Sequence, residues 1–335
     1  MSNTQLPISI IIPVGSAPVS LAPLLSALSS GSVFPSEIIL VDALGHLALH
    51  SEALQVLLST FPSTFSCLIN TIYSNDPLLP GEARNLGFRH SSFDLIGFLD
   101  VCTIPHPQWL IIAYNKHLTT HLPIIYGSTQ YIPNNYHQLL ATTVTYGLYP
   151  TLTLPGSLTS RSFFTSVGLF LPSIRAGEDT DWLLRSFNFT PRVLSLHATP
   201  LAYSNIPSSL SSLLRKWHRN YSSCSSVVLH LERQKSYYFF FASLVLLLLA
   251  YQWNSVFANW NEQSSLYFAN ITKFALVAVI LFYVFFRVVL RSMSKGANLA
   301  FLALSLAPLT LYSILIDLTK LVAFLFPARR HAPIP

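Results

Sequence analysis

Charge is what this chain has least of: only 10% of its 335 residues are charged, 13 Asp and Glu against 19 Lys and Arg. Ordinary soluble domains carry about a quarter, so with 51% of residues hydrophobic part of the chain does not face water. Cysteine is scarce too. Cys67, Cys102 and Cys224 are odd in number and widely spaced, with no C-x-x-C. That suggests neither a disulfide framework nor a zinc ribbon and leaves reduced thiols as the expectation. There is no internal repeat, no low-complexity tract, no Walker loop, no G-x-G-x-x-G and no G-x-S-x-G. The net charge of +6 comes without a basic stripe interleaved with aromatics, so nucleic acid is not an expected partner.

The apolar excess is concentrated near the end of the sequence. Residues 237–257 and 271–290 are each long enough for a helix to cross a bilayer. A third run, 298–326, exceeds one span and contains Pro308, Asp317 and Lys320; a kinked span, a re-entrant pair, or a span with an interfacial segment all suit it. Arg215, Lys216, Arg219, Arg233 and Lys235 precede the first run, the connection 258–270 has no basic residue, and Arg287, Arg291 and Lys295 close the second. This asymmetry places the first 230 or so residues on the cytosolic side. Arg329 and Arg330 do not fit it if the third run crosses. The opening MSNTQLPISIIIPVG has no basic n-region and does not read as a secretory signal. Anionic membrane lipid accounts for much of the positive excess.

Ahead of these runs, short β-branched stretches alternate with helix-spaced ones. ISIIIPV (8–14), EIILVDA (37–43), CLINTIYS (67–74) and DLIGFLDV (94–101) read as strands; 20–30, 49–61 and 81–91 read as helices between them. That alternation predicts an α/β fold, a mostly parallel sheet with helices on both faces, followed by membrane helices. In such sheets the ligand meets the carboxyl ends of the strands, where Asp42 and Asp100 fall. Farther on, 107–118 is expected helical and 124–132 a strand.

Three of the thirteen acids, Glu178, Asp179 and Asp181, lie within four positions at the start of a helical pattern. Capping explains acids there as readily as catalysis does. The order of motifs says more: IIIPV, VDA, GEARNLG, FLDVC, GEDTDWLLR, then RKWHRNY before the apolar runs. Over residues 7–235 this order resembles the family 2 glycosyltransferases, whose usual run is Val-Asp-Asp, Ala-Arg-Asn-x-Gly, Phe-Leu-Asp-x-Asp, Gly-Glu-Asp-x-Asp-x-x-x-Arg and often membrane helices.

The resemblance implies a cytosolic nucleotide-sugar glycosyltransferase domain over 1–235 and a membrane region over 236–335. It implies that Asp42 binds the base or ribose, with Arg84 and Asn85 lining the nucleotide pocket. Asp100, as the first acid of D-x-D, would contact ribose and a metal–diphosphate, the metal being Mg²⁺ or Mn²⁺. Asp179 matches the catalytic base, which would take the proton of an acceptor hydroxyl attacking the anomeric carbon with inversion. Glu178 and Asp181 would orient the helix and acceptor, with Arg185 pairing one of them at i,i+4. Arg215, Lys216, Trp217 and Arg219 would cover the diphosphate and acceptor, or else lie on anionic lipid. The implied partners are a nucleotide-sugar donor, a lipid-linked or glycan acceptor and membrane lipids.

Two positions depart from the family pattern. Ala43 replaces an acid, and Cys102 stands where D-x-D holds the cation, a thiol being a poor ligand for hard ions. These departures support a rival reading, a catalytically silent nucleotide-binding or scaffolding homologue. A processive polysaccharide synthase is a second rival, opposed by the short chain, the few spans and the lack of Q-x-x-R-W. The pairs His46/His50 and His117/His121 lack the glutamate and third ligand of a zinc site.

Overall fold

The computed structural model describes residues 4–15, 21–45, 59, 67–190, 193–194, 196, 198–223 and 228–326. The helix expected over 49–61, apart from Ser59, the His46/His50 pair and Cys224 lie outside them. The described strands form one eight-stranded sheet: β1 (Gln5–Val14), β2 (Phe34–Asp42), β3 (Leu68–Ile72), β4 (Leu95–Phe98), β5 (Thr103–Ile104), β6 (Ile124–Tyr131), β7 (Thr151–Ser160) and β8 (Leu201–Tyr203), in the order β3-β2-β1-β4-β7-β6-β8-β5. Pairing is parallel for β1 with β2 and β4, β2 with β3, and β6 with β8; β7 runs antiparallel to β4 and β6, as β5 does to β8.

Strand β1 shows why the sheet is covered on both sides. Successive side chains alternate faces, so Ile8, Ile10 and Ile12 enter one core while Ile11 enters another. The first core is closed by α1 (Ala22–Ser29) and α3 (Trp109–Thr120), through Leu24, Leu25, Leu28, Trp109 and Leu110. The second is closed by α2 (Pro80–His90), α5 (Arg161–Val167) and α6 (Glu178–Phe187), through Ala83, Phe163, Phe164, Trp182 and Leu183. At Gly127 in β6 a Cβ would lie 2.1 Å from the Pro155 carbonyl oxygen, so close strand approach requires glycine there. One carboxylate inside the sheet has no cation partner among the described residues: Glu37 is fully buried and accepts from the Ser9 hydroxyl (2.6 Å), the Asn70 amide (2.9 Å) and the Ser92 N–H (2.9 Å).

The short helix α4 (Tyr136–Val144), which sequence periodicity did not single out, links this body to the apolar helices. Those are α8 (Val228–Ala258), preceded by α7 (Leu210–Ser223), then α9 (Ile271–Tyr283, continued by a π-helical turn Val284–Leu290 and Arg291–Ser294) and α10 (Leu299–Leu325). By length and composition Phe241–Ala258, Ile271–Ser294 and Leu299–Leu325 can each cross a membrane, and Phe274, Leu281 and Leu304 on them face outward. The third run is thus one continuous helix with Pro308 inside it.

A third core joins the two regions. Leu140, Ala141 and Val144 of α4 and Leu213 of α7 pack with Val288, Leu302, Leu309 and Ile316 of α9 and α10. Polar contacts reinforce it: Tyr136 Oη donates to Ser305 Oγ (3.0 Å), His137 Nδ1 meets Tyr312 Oη (2.5 Å), and the Lys295 ammonium donates to the Thr145 carbonyl.

Candidate functional site

Asp42 ends β2 and Asp100 follows β4, the strands on either side of β1, so both acids reach the carboxyl edge of the parallel part of the sheet. A cleft of about 370 Å³ opens there, lined among others by Pro13, Gly15, Ala43, Leu79, Asp100 and Arg175. Asp42 itself is fully buried: Oδ1 accepts the Leu44 N–H at 2.9 Å, while buried Oδ2 has no hydrogen-bond partner among the described residues. Buried polar atoms are seldom left so.

Helix α2 delivers Arg84 and Asn85 to this edge. Glu82 fixes the start of the helix, accepting the Leu79 N–H at 2.9 Å and the Ser173 N–H at 2.9 Å. Arg84 is buried and divides its guanidinium between two carboxylates: Nη2 donates to Asp100 Oδ1 at 2.8 Å and Nη1 to Glu178 Oε1 at 2.7 Å. Three motifs separated by up to 94 positions in sequence therefore meet at one side chain. Burial works against the Arg84 charge, but Asp100, Glu178 and Asp179 outweigh it and hold the group above its usual value. Asn85 faces the chain instead, its amide donating to the Phe170 carbonyl (2.9 Å) and its oxygen accepting the Phe170 N–H (3.0 Å).

Gly177, at φ 93°, turns the chain in a left-handed conformation that lets α6 begin with its acids. Glu178 is pushed up from an ordinary 4.5 to about 7, by burial first and the neighbouring Asp179 second, with Arg84 pulling the other way. Asp179 is half-buried, and its Oδ1 accepts the Thr180 N–H at 2.7 Å. Asp181 is buried and turned to Arg185 Nε at 2.9 Å, the expected i,i+4 pair; Arg185 in turn donates to the carbonyls of Val167 (2.7 Å) and Leu169 (2.9 Å). Asp181 thereby fixes the turn before the acidic helix.

The basic segment divides along α7. Arg215 and Arg219 are exposed, and Trp217 packs toward the membrane helices with the Lys320 ammonium 5.0 Å from its ring centre. Lys216 points back at the sheet edge, 5.2 Å from the Tyr146 ring centre and 5.4 Å from that of Tyr203. Burial opposes its charge, but the two phenols more than compensate and the group is raised. Tyr131 stacks on Tyr146 with centroids 3.9 Å apart. Burial first, then Tyr146, Tyr203, Asp179 and Asp100, hold its phenol above the ordinary range and hence protonated. Cys102 Sγ accepts from the Asn205 amide at 3.1 Å. Sequence reasoning missed Tyr131, Tyr146, Tyr203, Asn205 and Arg175; single aromatics and amides at strand ends carry no pattern to find them by.

The donor set suits a hard divalent ion only in part. Asp100 is 37% exposed and engages Arg84 through one oxygen. No cluster of three or more His, Cys, Asp or Glu ligands occurs among the described residues. One carboxylate completed by substrate phosphates and water is a common arrangement for Mg²⁺, so the residues fit an ion that arrives with a diphosphate.

No protein-family model matches the sequence, and no curated protein does. Among solved structures, the chain is similar to the mannosyltransferase PcManGT from Pyrobaculum calidifontis, in complex with GDP-Man and Mn²⁺, with a TM-score of 0.56 at 12% identity over 96% of this chain and 88% of that one. A weaker likeness is to S. aureus TarS 1–349, with a TM-score of 0.46 at 12% identity, covering 94% of this chain and 90% of that one. The chain thus has the fold of a glycosyltransferase, with three apolar helices able to span a membrane.

Proposed function

We propose that the protein is a membrane-anchored, inverting glycosyltransferase that moves a sugar from a nucleotide-diphosphate donor to a membrane-associated acceptor, with its α/β body on the cytosolic face. The observation that carries this reading is that Asp100, at a cleft beyond the carboxyl ends of parallel strands, is tied through the buried Arg84 to Glu178 at the start of the acidic helix. The fold shared with a mannosyltransferase solved with GDP-Man and Mn²⁺ supports it. So does the basic residue asymmetry along the apolar helices.

In this reading Asp42 accepts from the nucleotide's base or ribose through its unpartnered oxygen, which is buried behind the cleft wall at Ala43 and Leu44 and is reached only when that wall shifts. Asp100 would hold Mg²⁺ or Mn²⁺, which when bound would supply charge neutralisation at the donor's diphosphate. Arg84 keeps Asp100 pointed at the cleft, and Asn85 keeps the 168–177 segment beside it. Lys216, prevented from swinging away by its tyrosine cage, adds a fixed positive charge to the leaving-group side. Asp179 takes the proton of the acceptor hydroxyl through the oxygen that Thr180 leaves open. Glu178 stays engaged with Arg84 and orients its neighbour rather than acting as the base. In this reading Arg215 and Arg219, exposed on α7, and Trp217, packed against the membrane helices, serve the acceptor, and Asp181 supports the acidic helix from behind.

The test compares the purified full-length chain with Asp179→Asn for donor hydrolysis and transfer, across GDP- and UDP-sugars with Mn²⁺. The variant should lose about 10²–10⁴-fold in turnover while still gaining thermal stability from nucleotide. Equal rates overturn the enzyme reading, and nucleotide stabilisation without turnover in either protein supports the silent homologue instead.

A further inference from the structure

The three apolar helices do not close on one another. Between them lies a cleft of about 500 Å³ whose walls include Leu244 and Leu247 of α8, Val279 and Phe286 of α9, and Ile314 and Leu321 of α10. That size falls within the ~300–1,000 Å³ of ordinary ligand sites. One end is charged: Arg287, Arg291 and Lys320 line it beside a single carboxylate, Asp317.

Asp317 is fully engaged. It accepts from Arg287 Nε (2.7 Å) and Nη2 (3.1 Å), from Tyr283 Oη (3.0 Å) and from Lys320 Nζ (3.3 Å). One arginine would have sufficed to neutralise it. Lys320 is held between the Trp217 and Tyr221 rings, 5.0 and 5.4 Å from their centres, and Arg291 is exposed and in no ion pair among the described residues. Ionisable groups in membrane segments are costly and mark functional positions. Arg287 also projects from the π-helical turn, a feature found mostly at functional sites.

An apolar slot with surplus positive charge at its mouth is complementary to an amphiphile of negative head. We propose that the cleft binds a membrane lipid with an anionic phosphate head, its chain between α8, α9 and α10 and its phosphate on Arg291, Lys320 and Arg287. Basic pockets between membrane helices are known to take such heads. The site is separate from the sheet-edge cleft, and lipid binding there holds whether or not the chain transfers sugar.

The experiment is native mass spectrometry and thermal melting of the full-length chain in detergent, with phosphatidylglycerol, hexadecyl phosphate, zwitterionic phosphatidylcholine or inorganic phosphate added. Retention and a raised melting temperature are expected for the anionic lipids and not for phosphatidylcholine or free phosphate. Preference for phosphatidylglycerol identifies bulk phospholipid as the source, and preference for hexadecyl phosphate a single-chain phosphate of the acceptor type. Arg291→Gln, which breaks no ion pair, should weaken retention roughly tenfold, and Thr310→Trp, placed in the cleft wall, should block it by filling the slot. Equal retention of phosphatidylcholine, or full retention by both variants, overturns the proposal; melting in lipid-free detergent verifies that each variant is folded.

Discussion

Replacing Arg84 with Met removes a buried cation from between Glu178 and Asp100 and leaves an unbranched apolar chain that ends near the position of Nε. Below pH 7, Glu178 holds its proton in both folded proteins, because burial places it at about 7 even with Arg84 present. The deficit there is the loss of hydrogen bonds to charged groups, about 1.5–3 kcal/mol. Above pH 7 the wild-type carboxyl ionises. Without Arg84, burial and Asp179 raise the variant's carboxyl further, so it keeps its proton where the unfolded chain has lost one. Folded-state proton excess makes stability fall with rising pH, by about 1.4 kcal/mol per unit for one proton. The variant's deficit should therefore be flat from pH 6 to 7 and grow above it, toward the roughly 3–5 kcal/mol typical of a broken buried pair. Melting in detergent from pH 6 to 9 reads this directly: at about 2–4 °C per kcal/mol for a domain of this size, the gap should widen by about 3–6 °C per pH unit. A gap that stays constant across the range, or narrows, refutes the coupling of Glu178 to Arg84.

Three further outcomes are expected. Cys102→Asp restores an oxygen ligand two positions from Asp100 and should lower the Mn²⁺ concentration for half-maximal activity several-fold; an unchanged titration would count against Asp100 as the metal's anchor. Lys216→Met should weaken nucleoside diphosphate binding about tenfold or more, seen by calorimetry, with Lys216→Arg recovering part of it; unaltered affinity would remove Lys216 from the donor site. Gly127→Ala forces a Cβ against the Pro155 carbonyl, a backbone atom that cannot rotate away. It should cost about 1–3 kcal/mol, and a wild-type melting curve would contradict the strand spacing.

How much of this was legible in the sequence follows from the range of each interaction. Strand β1 announces itself because Ile8 to Ile12 must satisfy cores on both faces of the sheet, and an acid at a strand end is visible as soon as the strand is. The Asp181–Arg185 pair was readable because helix geometry fixes i,i+4 neighbours. The Arg84 bridge to Glu178 was not, since spacing says nothing about which acid 94 positions away a guanidinium will reach. Nor were Tyr131, Tyr146 and Tyr203, which meet only when β6, the loop after α4 and β8 come together. Helix α4 escaped because its sequence, YHQLLATTV, is short, and its apolar face is completed by distant helices, α7 and the last two apolar ones.

The seam formed by α4, α7 and the last two helices has a practical corollary. Anyone seeking a water-soluble fragment by cutting at 235 would strip the partners from Leu140, Val144 and Leu213, baring an oily patch on the remaining body. Such a fragment should clump or cling to detergent, and its recovery would call for polar replacements on α4 rather than a shorter tail.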